Sequence, residues 1–304
     1  MSAEGGTKAI VAALLANTGI AVSKFVAAAI TGSASMLAEG VHSVADASNQ
    51  VLLLIGGKAS RKAASPAHPF GYGRERYIYA FIVSIVLFSI GGLYAMYEGY
   101  HKLSHHGELT TPLVAVIVLV VAIILESFSL RTAVKESNAV RGKQSWTQFI
   151  KGSRSPELPV ILLEDVGALV GLVLALLGVS LSWATGNIVF DALGTLSIGV
   201  LLVLIAIVLA IEIRSMLIGE SATLEDIAAI TTAINEGDEN SLIHLKTLHI
   251  GPDELLVAAK IGIGRSETGE EVAAEIDAAE ARIRAAVPKA KLIYIEPDIP
   301  RVAA

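Results

Sequence analysis

Six long apolar stretches follow one another in the first two thirds of the chain. They are Lys8–Ile30, Ser35–Gly56, Tyr77–Tyr100, Pro112–Leu130, Leu158–Trp183 and Ile188–Ile213. Each matches the ~20 residues that a helix needs to cross a bilayer. Buried helices of a soluble protein are the alternative, but six such stretches in succession favour an α-helical membrane protein with six transmembrane helices.

The pattern changes after Arg214. Thr223 with Asp226 is typical of a capping box that opens a helix, and alternating apolar residues then predict strands. The predicted elements are a helix after Thr223, strands at Leu242–Ile250 and Leu255–Ile263, a helix through Val272–Ile283 and a strand at Leu292–Ile295. We therefore expect a transmembrane domain over 1–214 and a small α+β domain, in the order α-β-β-α-β, over 215–304. A layer of ~75 residues is marginal alone and is better stabilised as a dimer.

Composition supports this division. The 304 residues are 53% hydrophobic and only 17% charged, with a mean hydropathy of +0.64. The chain has no cysteine, which excludes a disulfide scaffold, an iron–sulfur protein and a thiol nucleophile. The net charge of -6 combines +2 through Arg214 with -8 beyond it and gives no reason to expect a nucleic-acid partner.

Basic residues in the connections predict the orientation. Thirteen basic residues lie before the first span, between the second and third, between the fourth and fifth, or after the sixth: Lys8, Lys58, Arg61, Lys62, Arg74, Arg76, Arg131, Lys135, Arg141, Lys143, Lys151, Arg154 and Arg214. The other three connections hold only Lys102. We expect both termini to be cytoplasmic, in the inner membrane of a prokaryotic cell.

A polar stripe runs along the second apolar stretch. Glu39, His42, Asp46 and Asn49 are spaced by three, four and three residues, which places them on one face of a helix. In the fifth stretch, Glu164 and Asp165 interrupt an apolar run. An acidic residue at mid-helix opposes insertion by about 2.5–3.5 kcal/mol, so these side chains require a counter-ion.

A bound divalent cation is the counter-ion that the residues favour. Lys24 is the one intramembrane basic candidate, and it lies toward the outer end of the first span. Two carboxylates with a neutral imidazole would neutralise M²⁺, and histidine favours zinc-like metals over calcium or magnesium. The sequence therefore predicts a metal site formed by His42, Asp46 and Asp165. The alternative is that these groups are protonated or form hydrogen bonds between helices.

Other intramembrane features have simpler interpretations. Polar contacts between helices, or side chains that reach the membrane surface, are expected for Asn17, Lys24, Glu126 and Asp191. Gly167 and Gly171 form a Gly-x-x-x-Gly pair, which predicts either tight helix packing or the close approach that a metal bridged by two helices requires.

Two motifs are more specific. Ala38-Glu-Gly-Val-His42-Ser-Val-Ala-Asp46 and the loop His68-Pro-Phe-Gly-Tyr-Gly-Arg74 resemble the cation diffusion facilitator family of zinc and related metal transporters. With six spans and the α-β-β-α-β tail, the resemblance covers essentially the whole chain. It implies a homodimer that exports divalent metal in exchange for protons by alternating access, with 215–304 as a metallochaperone-like dimerisation domain.

The resemblance also assigns residues. His42 and Asp46 match the family's second-span ligands, and Asp165 matches the fifth-span aspartate. The fourth ligand departs from the pattern, because Ile161 stands where zinc members have His or Asp. Glu164 beside Asp165 resembles the branch that includes the animal mitochondrial zinc transporters, and it could bind the metal, relay protons or pair with another helix.

Accessory sites match the family less well. His68 matches a loop position that binds an accessory metal in some members, but Tyr72 replaces the second histidine. In the tail, Tyr294 replaces the histidine of a His-x-Glu-Pro motif. We expect His68 in a structural linker, His244 and His249 at the surface or a dimer contact, and His101, His105 and His106 in a solvated outer loop.

The sequence thus predicts a proton-coupled efflux transporter for a divalent cation, zinc first. His42 can give its lone pair to a metal or to a proton but not to both, and we expect this competition to couple the two fluxes. The alternatives are an exporter of manganese, iron, cobalt or nickel, and a non-transporting membrane scaffold or metal sensor. No enzyme motif is present, no cofactor is expected, and the partners are the metal ion, protons, the lipid bilayer and a second copy of the chain.

Overall fold

The computed structural model describes the backbone of residues 2–31, 34–104, 112–236 and 241–299. Within these ranges it describes the side chains of all residues except 2–6, 27–28, 30–31, 34–42, 45, 88 and 241. Two compact units result: residues 1–58 with 76–214, and residues 59–75 with 215–304. The roles predicted for 1–214 and 215–304 remain predictions.

The first unit is helical. Its elements are α1 (Ser2–Thr31), α2 (Ala34–Ala59), α3 (Glu75–Val86), a π-helical segment (Leu87–Leu93), α4 (Tyr94–Ser104), α5 (Pro112–Arg141), α6 (Trp146–Gly152), α7 (Glu157–Thr185) and α8 (Val189–Ile218). The short α6 begins at a complete capping box formed by Ser145 and Gln148.

Five helices of the described residues are long and apolar enough to cross a membrane. They are Thr7–Val26, Glu75–Ser104, Pro112–Arg141, Glu157–Thr185 and Val189–Ile218. The prediction of a helical membrane protein is therefore confirmed, and five of the six expected stretches lie in helices long and apolar enough to be spans. The helix α2 has 26 residues, which suffices in length, but that it forms the sixth span remains a prediction.

The polar end of α5 extends farther than the apolar pattern predicted. The apolar stretch ends at Leu130, whereas the helix continues to Arg141. Ala133 and Ser137, which are four residues apart and therefore on one face, are fully buried in this extension. Burial of one face keeps the segment helical after its sequence has become polar.

The continuous helical segment Glu75–Ser104, formed by α3, the π-helical segment and α4, packs against α8 through glycines. A Cβ atom at Gly99 would lie 2.8 Å from the backbone nitrogen of Leu196. A Cβ at Gly199 would lie 2.7 Å from the nitrogen of Met96 and 3.0 Å from the carbonyl oxygen of Gly92. Backbones approach this closely only where side chains are absent, as in other small-residue contacts between membrane helices.

The second unit contains the predicted tail. Its elements are α9 (Leu224–Asn235), β1 (Ser241–Gly251), β2 (Glu254–Gly262), α10 (Gly269–Ala286) and β3 (Ala290–Asp298). This is the predicted order α-β-β-α-β. The sheet order is β1-β2-β3, with β1 and β2 antiparallel and β2 and β3 parallel.

Strand periodicity and capping explain the tail's core. Leu255, Val257 and Ile261 alternate along β2 and are buried against Ile230 of α9 and Ile283 of α10. The predicted start of α9 is correct: the Thr223 hydroxyl accepts a hydrogen bond from the backbone N–H of Asp226 at 3.2 Å.

The loop between α2 and α3 belongs to the same unit as the tail. A Cβ atom at Gly73 would lie 2.8 Å from the carbonyl oxygen of Ile250 and 3.0 Å from the Cα of Gly251. A Cβ at Gly251 would in turn lie 2.9 Å from the Cα of Gly73. Two glycines therefore face each other where the loop meets the β1–β2 hairpin, and neither position has room for a side chain.

Candidate metal site

The predicted stripe lies on α2. Glu39 and His42 are part of this helix, but their side chains are outside the described set. Asp46 is half-buried, and Asn49 is buried with 1% of its surface exposed. The predicted helical face can therefore be followed in the structure from Asp46 to Asn49.

The two acidic residues of the fifth stretch are buried in α7. Glu164 is 5% exposed and Asp165 is 1% exposed. Asn49 Nδ2 donates a hydrogen bond to Glu164 Oε1 at 3.0 Å, which connects α2 to α7. Of the three roles that the sequence left open for Glu164, a polar contact with another helix is present in the structure.

Asp165 faces α5. Ser129 Oγ donates a hydrogen bond to Asp165 Oδ2 at 2.8 Å, and the carboxyl group of Glu126 also forms a hydrogen bond with Asp165. Glu126 and Ser129 are three residues apart, so both lie on the face of α5 turned to α7. Glu126 was expected to make a polar contact between helices, and its partner is the predicted metal ligand itself.

Carboxyl groups from three helices thus influence one another. Glu126 interacts electrostatically with Asp165, Glu164 and Asp46, and Glu164 interacts with Asp46 and Asp165. Within the side chains that the structure describes, no three His, Cys, Asp or Glu residues form a ready-made metal site. Two of the three predicted ligands, Asp46 and Asp165, are within this set, and His42 is not.

Two buried oxygens at the α2–α7 contact have no hydrogen-bond partner among the described residues. They are Asn49 Oδ1 and Glu164 Oε2. Glu164 Oε2 is the second oxygen of the carboxylate that accepts a hydrogen bond from Asn49. Asn49 Oδ1 belongs to the amide that donates this bond through Nδ2. An unsatisfied buried acceptor costs about 1–3 kcal/mol, and more when it is charged. Gln50 Nε2 of α2 is also unsatisfied, and the Gln50 side chain interacts with Glu164, so these oxygens are suited to receive a cation or this amide donor.

The glycine pair on α7 faces away from this region. A Cβ at Gly171 would lie 3.5 Å from the Ile198 side chain, and one at Gly167 would meet Ile205, both on α8. Among the described residues, the neighbour observed at both glycines is α8 and not α2. Gly167 and Gly171 therefore serve packing rather than the approach of the two helices that hold the stripe and Asp165.

Two other intramembrane expectations agree with the structure. Asn17 Nδ2 of α1 donates to Gln50 Oε1 of α2 at 3.2 Å, within the buried interior. Asp191, at the start of α8, pairs with Lys102 of α4 at 3.1 Å. Ile161, at the position of the absent fourth ligand, is completely buried.

The histidines outside the spans have different environments. His68 is exposed and its ring lies 4.6 Å from the Tyr72 ring, and its backbone pairs with Ser65, as expected for a linker. His244 is exposed. The expectation of a surface position is wrong for His249, which is 1% exposed.

The segment that leads into α9 explains why His249 is buried. The His249 backbone N–H donates to the Glu220 carbonyl oxygen at 2.8 Å, so this segment covers the end of β1. His101 is exposed, while His105 and His106 lie outside the described residues. Tyr294 is 56% exposed.

Comparison with known proteins gives the family. Residues 10–218 match the cation efflux transmembrane domain. The chain belongs to the cation efflux family. This is a family of membrane transporters and not of enzymes, and it is the family that the motifs around His42 and His68 indicated.

Named relatives of this cation efflux protein support the same conclusion. It is 31% identical over 261 residues to the human proton-coupled zinc antiporter SLC30A9, mitochondrial, covering 85% of this chain and 46% of the relative. It is 29% identical to metal tolerance protein C4 of Arabidopsis thaliana, over 84% of this chain and 56% of the relative. With magnetosome protein MamB of Magnetospira sp. it shares 28% identity over 66% of this chain and 63% of the relative. The chain spans about half the length of the first two.

Proposed function

We propose that this cation efflux protein exports a divalent metal ion, zinc first, from the cytoplasm in exchange for protons. The ion binds between α2 and α7, held by His42, Asp46 and Asp165, with Glu164 beside them. The observation that carries the proposal is the burial of Glu164 and Asp165 in a helix long and apolar enough to span a membrane. Intramembrane carboxylates mark ion and proton pathways.

Two arguments support proton coupling: the energy of moving charge across the membrane, and the competition between metal and proton for the lone pair of His42. Expelling a divalent ion against ~100 mV costs about 4.6 kcal/mol, and each entering proton returns about 2.3 kcal/mol plus about 1.4 kcal/mol per favourable pH unit. Metal binds the deprotonated site facing the cytoplasm, and protons at His42 and the carboxylates displace it on the other side. The curated relative with the name of a proton-coupled zinc antiporter supports zinc and protons as the exchanged ions.

The proposal includes the membrane arrangement. The helix α2 also crosses the membrane, which brings the number of spans to six. Both termini are cytoplasmic, and two copies of the chain associate through 215–304. Basic residues concentrated in one set of connections support the orientation. The small core of the tail supports association, because a layer of this size gains stability as a dimer.

A second metal is favoured by the donor set. Asp46, Glu164 and Asp165 are oxygen donors, and Ile161 removes a position that could hold a nitrogen donor. Carboxylates suit manganese and other harder cations better than imidazole does. Export of manganese, iron, cobalt or nickel is therefore the second candidate. A scaffold that binds no metal gives no reason for the buried carboxylates, and a metal sensor without transport would bind the ion but show no pH-driven uptake.

Transport by the purified full chain in liposomes tests the proposal. We expect pH-driven uptake of zinc that is lost in Asp46→Ala and Asp165→Ala. Asp191→Asn is the matched control. Asp191 is also a buried acidic residue of a span, but it pairs with Lys102 of α4 and is not part of the proposed metal site. Uptake that survives both substitutions would overturn the site, and faster uptake of manganese than of zinc would establish the second candidate.

A further inference from the structure

We propose that Glu126 of α5 is a ligand of the transported ion and takes the coordination position that Ile161 leaves without a donor. This inference rests on the proposed function, and it adds a third helix to a site otherwise formed by α2 and α7. Glu126 is 2% exposed and lies in a helix of 30 residues that meets the criteria for a membrane span.

The first observation is the contact between two carboxyl groups. Glu126 forms a hydrogen bond with Asp165, and a carboxylate has no donor of its own. Two carboxyl groups in contact therefore hold a cation between them, either a proton or a metal ion. A second donor, Ser129, binds Asp165 Oδ2 at 2.8 Å, so the Asp165 side chain is turned toward α5 by two contacts.

The second observation is independent of this pair. Glu164 Oε2 is buried without a hydrogen-bond partner among the described residues, and so is Asn49 Oδ1. Glu126 interacts electrostatically with Glu164 as well as with Asp165 and Asp46. The Gln50 side chain also interacts with Glu164, and its Nε2 is unsatisfied as well. Because a buried polar atom normally has a partner, the unsatisfied oxygens indicate that this part of α2 and α7 can accept a further donor or a positive ion.

The third observation is the chemistry of α7. Ile161 lies four residues before Asp165 and so on the same face of the helix, but it is apolar and completely buried. The turn that would supply a fourth ligand from α7 therefore cannot do so. A carboxylate from α5, already in contact with Asp165, supplies the missing donor from a neighbouring helix. The described carboxylates do not converge in threes in this structure, so the set would assemble only when the ion binds, and it is richer in oxygen than a site with two histidines.

Metal affinity of the full-length protein in lipid nanodiscs tests the inference. Zinc and manganese dissociation constants are measured for wild type, Glu126→Gln, Ile161→Asp and the double variant. We expect Glu126→Gln to weaken binding by about 100-fold, because even residues outside the ligand shell contribute about 10–100-fold to metal affinity. The double variant should recover most of this loss, since Ile161→Asp restores a carboxylate on α7.

Controls separate the possible roles. Glu136→Gln makes the same change on the same helix, at a half-buried residue with no part in the site, and should bind metal as wild type does. Recovery in the double variant distinguishes a ligand from a residue that only positions Asp165, because positioning cannot be restored from Ile161. Glu126→Gln with wild-type affinity, or a double variant without recovery, would overturn the inference.

Asp165→Ala separates this inference from the proposed function. If Asp165→Ala loses metal binding while Glu126→Gln does not, only the role of Glu126 is wrong. If neither substitution changes binding or transport, the site between α2 and α7 is wrong as well.

Discussion

Arg76 and Glu157 form a buried ion pair between α3 and α7. Arg76 donates from Nε to Glu157 Oε1 and from Nη2 to Oε2, the latter at 2.8 Å. The two side chains are 11% and 6% exposed. Glu157 is the first residue of α7 and Asp165 follows two turns later, so this pair fixes the end of the helix that holds the acidic residues.

Breaking this pair should destabilise the protein. Glu157→Gln leaves the Arg76 charge buried with a weaker partner, which costs about 3–5 kcal/mol for a buried pair. The Arg284–Glu280 pair of α10 is a suitable comparison because its side chains are 49% and 28% exposed, and Glu280→Gln should cost less than about 1 kcal/mol. Unfolding of the purified protein in detergent measures both. Equal effects of the two substitutions would contradict the prediction.

The hydrogen bond from Ser129 to Asp165 should contribute to metal affinity. Ser129→Ala removes one of the two contacts that orient Asp165, and hydrogen bonds to charged groups contribute about 1.5–3 kcal/mol, so we expect at least tenfold weaker zinc binding. Ser127→Ala is the control, because Ser127 is exposed and binds only the Ile123 carbonyl oxygen of its own helix. Isothermal titration calorimetry would contradict this role if both variants bound zinc as wild type does.

Asn49 should affect stability and zinc uptake through its hydrogen bond to Glu164. Asn49→Ala removes the donor to Glu164 Oε1 and leaves another unsatisfied carboxylate oxygen in the interior. We expect a loss of about 1–3 kcal/mol in stability together with slower zinc uptake by liposomes. Ser48→Ala provides the comparison, since Ser48 is exposed and binds the Val44 carbonyl oxygen. Uptake reduced equally in both variants would remove the assigned role of Asn49.

The tail should lose stability in acid partly through Asp226. Burial raises the pKa of Asp226, but Lys289 at 2.6 Å and the Thr223 hydroxyl more than compensate, and the pKa lies below its usual value. A lowered pKa in the folded state stabilises above the unfolded pKa of about 3.9 and is lost as pH falls through and below that value. Asp226→Asn should cost roughly 1 kcal/mol at neutral pH and almost nothing near pH 2.

Hydrogen exchange of α9 in the full-length protein, compared between wild type and variant at each pH, measures this difference. Asp277→Asn is the control, because Asp277 is exposed on α10. A wild-type advantage that persists unchanged at low pH would show that the Asp226 charge is not its source.

Gly73→Ala should disrupt the contact between the loop and the β1–β2 hairpin. The new methyl group would lie 2.8 Å from the Ile250 carbonyl oxygen and 3.0 Å from Gly251 Cα, and backbone atoms cannot yield as a side-chain end can. Overpacking of this kind costs about 1–3 kcal/mol. Gly57→Ala, with nothing within 4 Å of the added Cβ, is the control. Hydrogen exchange of 59–75 and of the hairpin should increase only in Gly73→Ala.

Features set by local sequence could be predicted. Long apolar stretches predicted the helices, period-two alternation predicted β2, and Thr223 with Asp226 predicted the start of α9. The π-helical segment at Leu87–Leu93 had no local signal. The continuation of α5 beyond the apolar stretch had no local signal for a related reason, because burial of Ala133 and Ser137 depends on neighbouring helices and not on hydropathy.

Contacts between distant elements were the part that sequence could not supply. Glu126 was recognised as a polar residue needing a partner, but nothing local identifies Asp165, 39 positions later in the chain, as that partner. The burial of His249 likewise depends on the segment at Glu220 crossing the end of β1. The metal site as a whole, with His42 included, remains a prediction.

The glycine contacts between Glu75–Ser104 and α8 restrict how a transporter of this fold can move. A slide of one turn would bring Leu196 or Val203 against a position that carries a side chain instead of the glycine it now faces, so these two helices resist sliding past each other. If the chain transports by the alternating access proposed above, opening and closing around the ion falls to other contacts of the helical unit. The contacts of α7 with α2 and with α5 include hydrogen bonds between polar side chains, and such bonds can be exchanged without separating tightly packed apolar surfaces.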